Sequence, residues 1–100
     1  MNAQQRRRYV VTYDIRDDRR LRRVHSTVKG YGWAMQYSVF ICDLDKIELT
    51  RLRMALGEEI NHRVDSIAII DLGEPSQRGA TCFSFLGAAP CLPTQGPVII

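Results

Sequence analysis

Residues Met35 to Cys42 read MQYSVFIC, and whether they make one strand or two decides the fold. The run is rich in Val, Ile, Tyr and Phe, which suit a pleated, half-buried surface, and it has the length of an ordinary strand. Met35, Tyr37, Val39 and Ile41 on one face alternate with Gln36, Ser38, Phe40 and Cys42 on the other. No turn signal interrupts it, so a single strand is expected.

Upstream, Tyr9 to Asp14 is short and nearly continuous in apolar character, as suits a central strand covered on both faces. Asp17 or Asp18 can cap a following helix by accepting from the free N–H groups of its first turn. In that helix Leu21, Val24, Val28 and Tyr31 make one apolar stripe, while Arg19, Arg20, Arg22, Arg23 and Lys29 take the rest of the circumference. Gly30 and Gly32 end it. Downstream, Asp45 to Glu48 has the form of a capping box, and Leu49, Leu52, Leu56 and Ile60 continue at helical spacing. Ser66 to Leu72 reads as a third strand. Thr81 to Leu86, TCFSFL, reads as a fourth, joined as a hairpin through Gly73, Pro75 and Gly79. The order strand, helix, strand, helix, strand, strand fits an α+β ferredoxin-like sandwich, a mainly antiparallel sheet with two helices on one face. A strict ferredoxin-like order would split MQYSVFIC in two, and the sequence does not announce that break.

At 100 residues the chain makes one small domain, which buries only about two-thirds of its unfolded surface and gains from a partner subunit. A content of 45% hydrophobic and 25% charged residues is that of a soluble globular protein. No apolar run approaches the roughly 20 residues of a membrane span. The basic start, Met1 to Arg8, meets only a short apolar run before Asp14, which is not the pattern of a signal peptide. Cys42, Cys82 and Cys91 are widely spaced, without a C-x-x-C pair, and suggest reduced thiols in a cytoplasm. They lie far from His25 and His62, which argues against structural zinc.

Charge is distributed unevenly. Met1 to Gly30 carries nine cations against three acids, a net +6 in a chain whose total is +3. Such a split points to a basic face for a phosphate backbone, the alternative being a solvated helix surface. Asp14, at the end of the first strand, could bind a divalent cation through hard oxygen. One carboxylate makes a poor site, and a two-fold axis would supply a second. Capping a turn or pairing with Arg16 is the other reading. Tyr13 and Phe40 either stack on bases or pack in the core. Ser38 has no matched histidine and acid, His25 reads as a surface residue, and His62 as the end of the second helix.

Taken in order, Tyr13-Asp14-Ile15, Asp17-Asp18 with Arg19 and Arg20, Tyr31-Gly32, Gln36 to Phe40 and Gly87 resemble the CRISPR-associated protein two family, small endonucleases of the spacer-acquisition module. The match runs from about Tyr9 to Gly87, so residues 9–87 would be the ferredoxin-like domain, 1–8 a basic extension and 88–100 a Pro-rich tail. The resemblance implies a homodimer whose two Asp14 carboxylates face each other and hold Mg²⁺ or Mn²⁺. It also implies phosphodiester hydrolysis of single-stranded RNA or double-stranded DNA, with Asp14 as catalytic residue and metal ligand. Tyr13, Arg16, Arg19, Arg20 and Phe40 would neighbour the substrate, with Arg22, Arg23 and Lys29 adding to the phosphate-binding face. Val98, Ile99 and Ile100 would add a strand to the partner's sheet. The dimer would bridge copies of the CRISPR integrase and hold the prespacer duplex. The alternative function is that of a non-catalytic DNA-binding adaptor, in which Asp14 is dispensable.

Overall fold

Arg7–Asp14 forms β1, the strand on which the other elements are arranged, in a computed structural model that describes residues 5–90. Tyr9, Val11 and Tyr13 point to one face and are buried, as the period-2 alternation of a strand requires. Helix α1, Asp18–Lys29, is capped by Asp17, whose side chain accepts from Arg20 N–H at 2.9 Å. Its Val24 and Val28 are fully buried against that face of the sheet, with Leu21 and Tyr31 packed at the margin.

MQYSVFIC is two strands. The chain forms β2, Trp33–Gln36, turns at Tyr37 and Ser38, and continues as β3, Val39–Leu44. The turn is held from outside the run: the Tyr13 backbone N–H donates to the Ser38 carbonyl at 3.3 Å. A tertiary contact thus stands in for the glycine or asparagine that would have signalled it. The approach of Gly32 to β3 fixes the entry to this hairpin. A Cβ there would meet the Ile41 carbonyl oxygen and Cys42 Sγ.

Helix α2, Lys46–Glu59, opens with the expected capping box of Asp45 and Glu48 and buries Leu52 and Leu56 in the same core as α1. Strand β4, Ser66–Gly73, then pairs with the free edge of β1. The sheet order is β2-β3-β1-β4 with every pairing antiparallel, which is the ferredoxin-like arrangement. Among the described residues no helix is long and apolar enough to cross a membrane.

Two boundaries differ from expectation. TCFSFL is not a strand: Arg78–Thr81 forms the short helix α3, and 82–90 follow without regular strand pairing. The chain has already reversed, because the N–H groups of Gln77 and Gly79 both donate to the Glu74 carbonyl, at 3.0 and 3.1 Å. β1 also begins at Arg7 rather than Tyr9, so Arg7 and Arg8 belong to the sheet and not to a leading extension. Arg8 is buried against Asp43 of β3, its Nε and Nη2 donating to Oδ1 and Oδ2 at 2.8 and 2.9 Å, and its Nη1 donating to the Gly79 carbonyl at 3.0 Å. Cys91, the remainder of the tail and its expected strand Val98 to Ile100 lie outside the described residues.

Candidate functional site

Asp14 closes β1 opposite Ser66 of β4, with its side chain 68% exposed. Its carboxylate meets Arg16 Nη2 at 3.2 Å, and Arg16 is equally exposed. Such a pair is worth only about 0–1 kcal/mol, so Asp14 is free to exchange its partner for a cation. Among the described residues no group of three or more His, Cys, Asp and Glu side chains is placed to hold a metal ion. A single exposed carboxylate supplies too few hard oxygens to hold a divalent ion by itself.

The loop that carries Arg16 is fixed by Asp65, a residue that sequence reading passed over. The buried Asp65 carboxylate accepts from Arg16 N–H at 2.9 Å, Asn61 N–H at 2.8 Å, and Arg20 Nε and Nη2 at 2.7 and 3.2 Å. The Arg20 hydrogen bond, reinforced by the two backbone N–H groups, holds its carboxyl well below the usual carboxylate range against the cost of burial. Arg20 is thereby committed to the protein's own loop. No local pattern could have revealed this, because the partners are 45 residues apart.

The other N-terminal arginines sort by the same test. Arg6 pairs with Glu48 at 2.6 Å, Arg7 with Asp71 at 2.9 Å, and Arg8 with Asp43 at 2.8 Å. Arg19, Arg22, Arg23 and Lys29 are exposed on α1, and the last three carry no ion pair among the described residues. The basic face is therefore narrower than the sequence suggests and lies on α1.

Tyr13 and Phe40 are only 6% and 1% exposed, so neither ring is open to a base; here packing is the correct reading. Tyr13 Oη shares a hydrogen bond of 2.8 Å with His25 Nδ1 and lies 3.5 Å from the Tyr37 carbonyl. Burial raises the Tyr13 hydroxyl above its usual pKa. His25 is half-buried rather than a plain surface residue: Phe40 presents its edge at a centroid distance of 5.4 Å, and the Tyr37 ring stacks on it at 6.1 Å. His62 does not end α2, which stops at Glu59; it lies in the turn beyond and reaches back, its Nε2 2.7 Å from the Gly57 carbonyl.

Comparison with known proteins now bears on this site. Residues 7–79 match the family described as CRISPR associated protein Cas2. A relative from Geobacter sulfurreducens named CRISPR-associated endoribonuclease Cas2 is 46% identical over 65 residues, 65% of this chain and 68% of that protein. One from Halalkalibacterium halodurans named CRISPR-associated endonuclease Cas2 is 33% identical over 90% of this chain and 96% of its own length. A crystal structure of Streptococcus pyogenes Cas2 superposes with a TM-score of 0.69 at 32% identity, covering 80% of this chain and 99% of that one. The first-strand aspartate, the capped basic helix and the split second strand are thus set in a fold shared with these proteins. The chain belongs to the CRISPR-associated protein Cas2 family.

Proposed function

We propose that this chain is a CRISPR-associated nuclease that hydrolyses phosphodiester bonds as a homodimer, with Asp14 and its symmetry mate holding Mg²⁺ or Mn²⁺. The observation that carries the reading is Asp14 itself, an exposed carboxylate with one loosely held partner at the end of β1. The names of the relatives, an endoribonuclease and an endonuclease, support phosphodiester cleavage. A bound divalent ion would supply Lewis-acid stabilisation of phosphoryl charge and a more acidic water.

The chain's own residues do the rest. Arg16, released from Asp14, is placed to meet a phosphate oxygen, and Asp65 fixes the backbone from which it projects. Arg19, Arg22, Arg23 and Lys29 bind the nucleic-acid backbone, so affinity falls steeply with salt and depends little on sequence. The proposal includes presentation of nucleic acid to the CRISPR integrase by the dimer. It also includes addition of Val98 to Ile100 to the partner's sheet, so deleting those residues weakens the dimer in sedimentation.

The test is cleavage of matched single-stranded RNA and double-stranded DNA by wild type and Asp14→Asn, with and without Mg²⁺ or Mn²⁺. Loss of metal-dependent cutting in Asp14→Asn supports the reading. Equal rates would leave only the adaptor function, which needs the α1 cations and not Asp14.

A further inference from the structure

The turn that splits MQYSVFIC presents an aromatic ring to solvent, and the surroundings of that ring are built rather than incidental. Tyr37 is 76% exposed, yet it does not hang free. Its ring stacks on His25 with centroids 6.1 Å apart and planes inclined by 24°, within the range of offset aromatic pairs. His25 is itself braced, by the Phe40 edge at 5.4 Å and by the Tyr13 hydroxyl at 2.8 Å from Nδ1. The turn backbone is tied to β1, where Tyr13 N–H donates to the Ser38 carbonyl at 3.3 Å. One face of Tyr37 is therefore taken up by the protein in a fixed orientation, while much of the ring stays open.

The helix that backs the ring carries exposed cations on the side of His25. Arg22 and Lys29 stand three residues before and four after His25 on α1, on the same side of the helix, and both are exposed without an ion pair among the described residues. Tyr13, to which the turn is tied, points to the face of the sheet that α1 covers, whereas the next residue, Asp14, points to the opposite face. A flat ring backed by a helix that carries uncommitted cations has the chemistry of a single-strand platform: the ring takes a base and the cations take its phosphates.

We infer that Tyr37, backed by His25 with Arg22 and Lys29 on the same side of α1, is a stacking platform for an unpaired nucleobase, so that the protein grips single-stranded nucleic acid on the helix-covered side of the sheet. The inference rests on the nucleic-acid reading above but not on catalysis. A base inside a duplex has both faces covered by its neighbours and cannot use the platform. Because the Tyr37 ring is already held in place, stacking costs little side-chain ordering.

The test is binding in EDTA, where metal-dependent cleavage does not intervene, of end-labelled oligonucleotides of about 12 nucleotides, as single-stranded RNA, single-stranded DNA and a duplex. Tyr37→Ala weakens single-strand binding by about tenfold, Tyr37→Phe restores it, and duplex affinity moves by less than about twofold. The RNA and DNA arms show which backbone the site accepts. A 2-aminopurine placed in the strand is quenched by wild type and by Tyr37→Phe and not by Tyr37→Ala. Four outcomes would overturn the inference: single-strand affinity unchanged in Tyr37→Ala, an equal loss for the duplex, no rescue by phenylalanine, or no single-strand binding by wild type. None depends on Asp14, so failure of the nuclease reading and failure of the platform are separately visible.

Discussion

At the start of β1, Arg8 meets Asp43 at 2.8 Å with side chains 1% and 3% exposed, whereas past its end Arg16 meets Asp14 at 3.2 Å with 65% and 68% exposed. The same two charged groups therefore do opposite work on one strand. Inside, neither charge can be left without the other, and the guanidinium is further satisfied by the Gly79 carbonyl, which fastens the chain after β4 across the sheet. Outside, water solvates either charge almost as well as its partner does, so the pair can open for a cation or a phosphate. Burial, not pairing, separates the arginine committed to the fold from the one whose charge stays available to a ligand.

The largest effect expected follows from removing one member of the buried pair. Arg8→Ala leaves the Asp43 carboxylate uncompensated and destabilises the fold by about 3–5 kcal/mol, read from urea unfolding. Arg8→Met combined with Asp43→Leu recovers most of that loss, since two apolar groups leave no orphaned charge. A single substitution costing less than about 1 kcal/mol would erase the contrast between the two ends of β1.

Asp65 lies between the extremes, with its own side chain fully buried and its partner Arg20 26% exposed. Its carboxyl is depressed in the folded state, chiefly by Arg20. The stability it contributes is therefore fully present above the ordinary carboxylate pKa of about 4, and is lost as the pH falls toward the depressed value. Asp65→Asn is less stable than wild type at pH 7, and the gap narrows on acidification. Urea midpoints at neutral pH and near pH 3 check this, and an unchanged gap would remove Asp65 from the acid limb of the stability profile.

How much of this was legible in the sequence depended on whether the deciding contact was local. The caps at Asp17 and Asp45, the stripes of Val24 and Val28 or Leu52 and Leu56, and the strand Ser66 to Leu72 were read correctly, because each is set by residues within a turn or two. The break at Tyr37 and Ser38 was not, since the bond that holds the turn comes from Tyr13. TCFSFL has strand composition, but the reversal at Glu74 and the hold of Arg8 on Gly79 direct the chain elsewhere. Of the candidate site, Asp14 and the α1 cations stood out by position and charge. Sequence could not show that Arg20 is spoken for by Asp65, or that Tyr37 and not Tyr13 or Phe40 has an open ring, because burial and long-range pairing decide both.

The smallest effect on stability belongs to the exposed pair, and its smallness makes it informative. Arg16→Ala deletes the partner of Asp14, yet both charges are already in water, so the urea midpoint shifts by the equivalent of less than about 1 kcal/mol. The same substitution removes one cation from the proposed phosphate-binding face. The slope of log affinity against log salt for nucleic acid therefore falls in magnitude by about one. A change in binding without a change in stability is what an uncommitted surface charge produces. If Arg16→Ala instead unfolded the protein as readily as Arg8→Ala, the end of β1 would be a second structural anchor, and Asp14 would not be free to accept a metal ion.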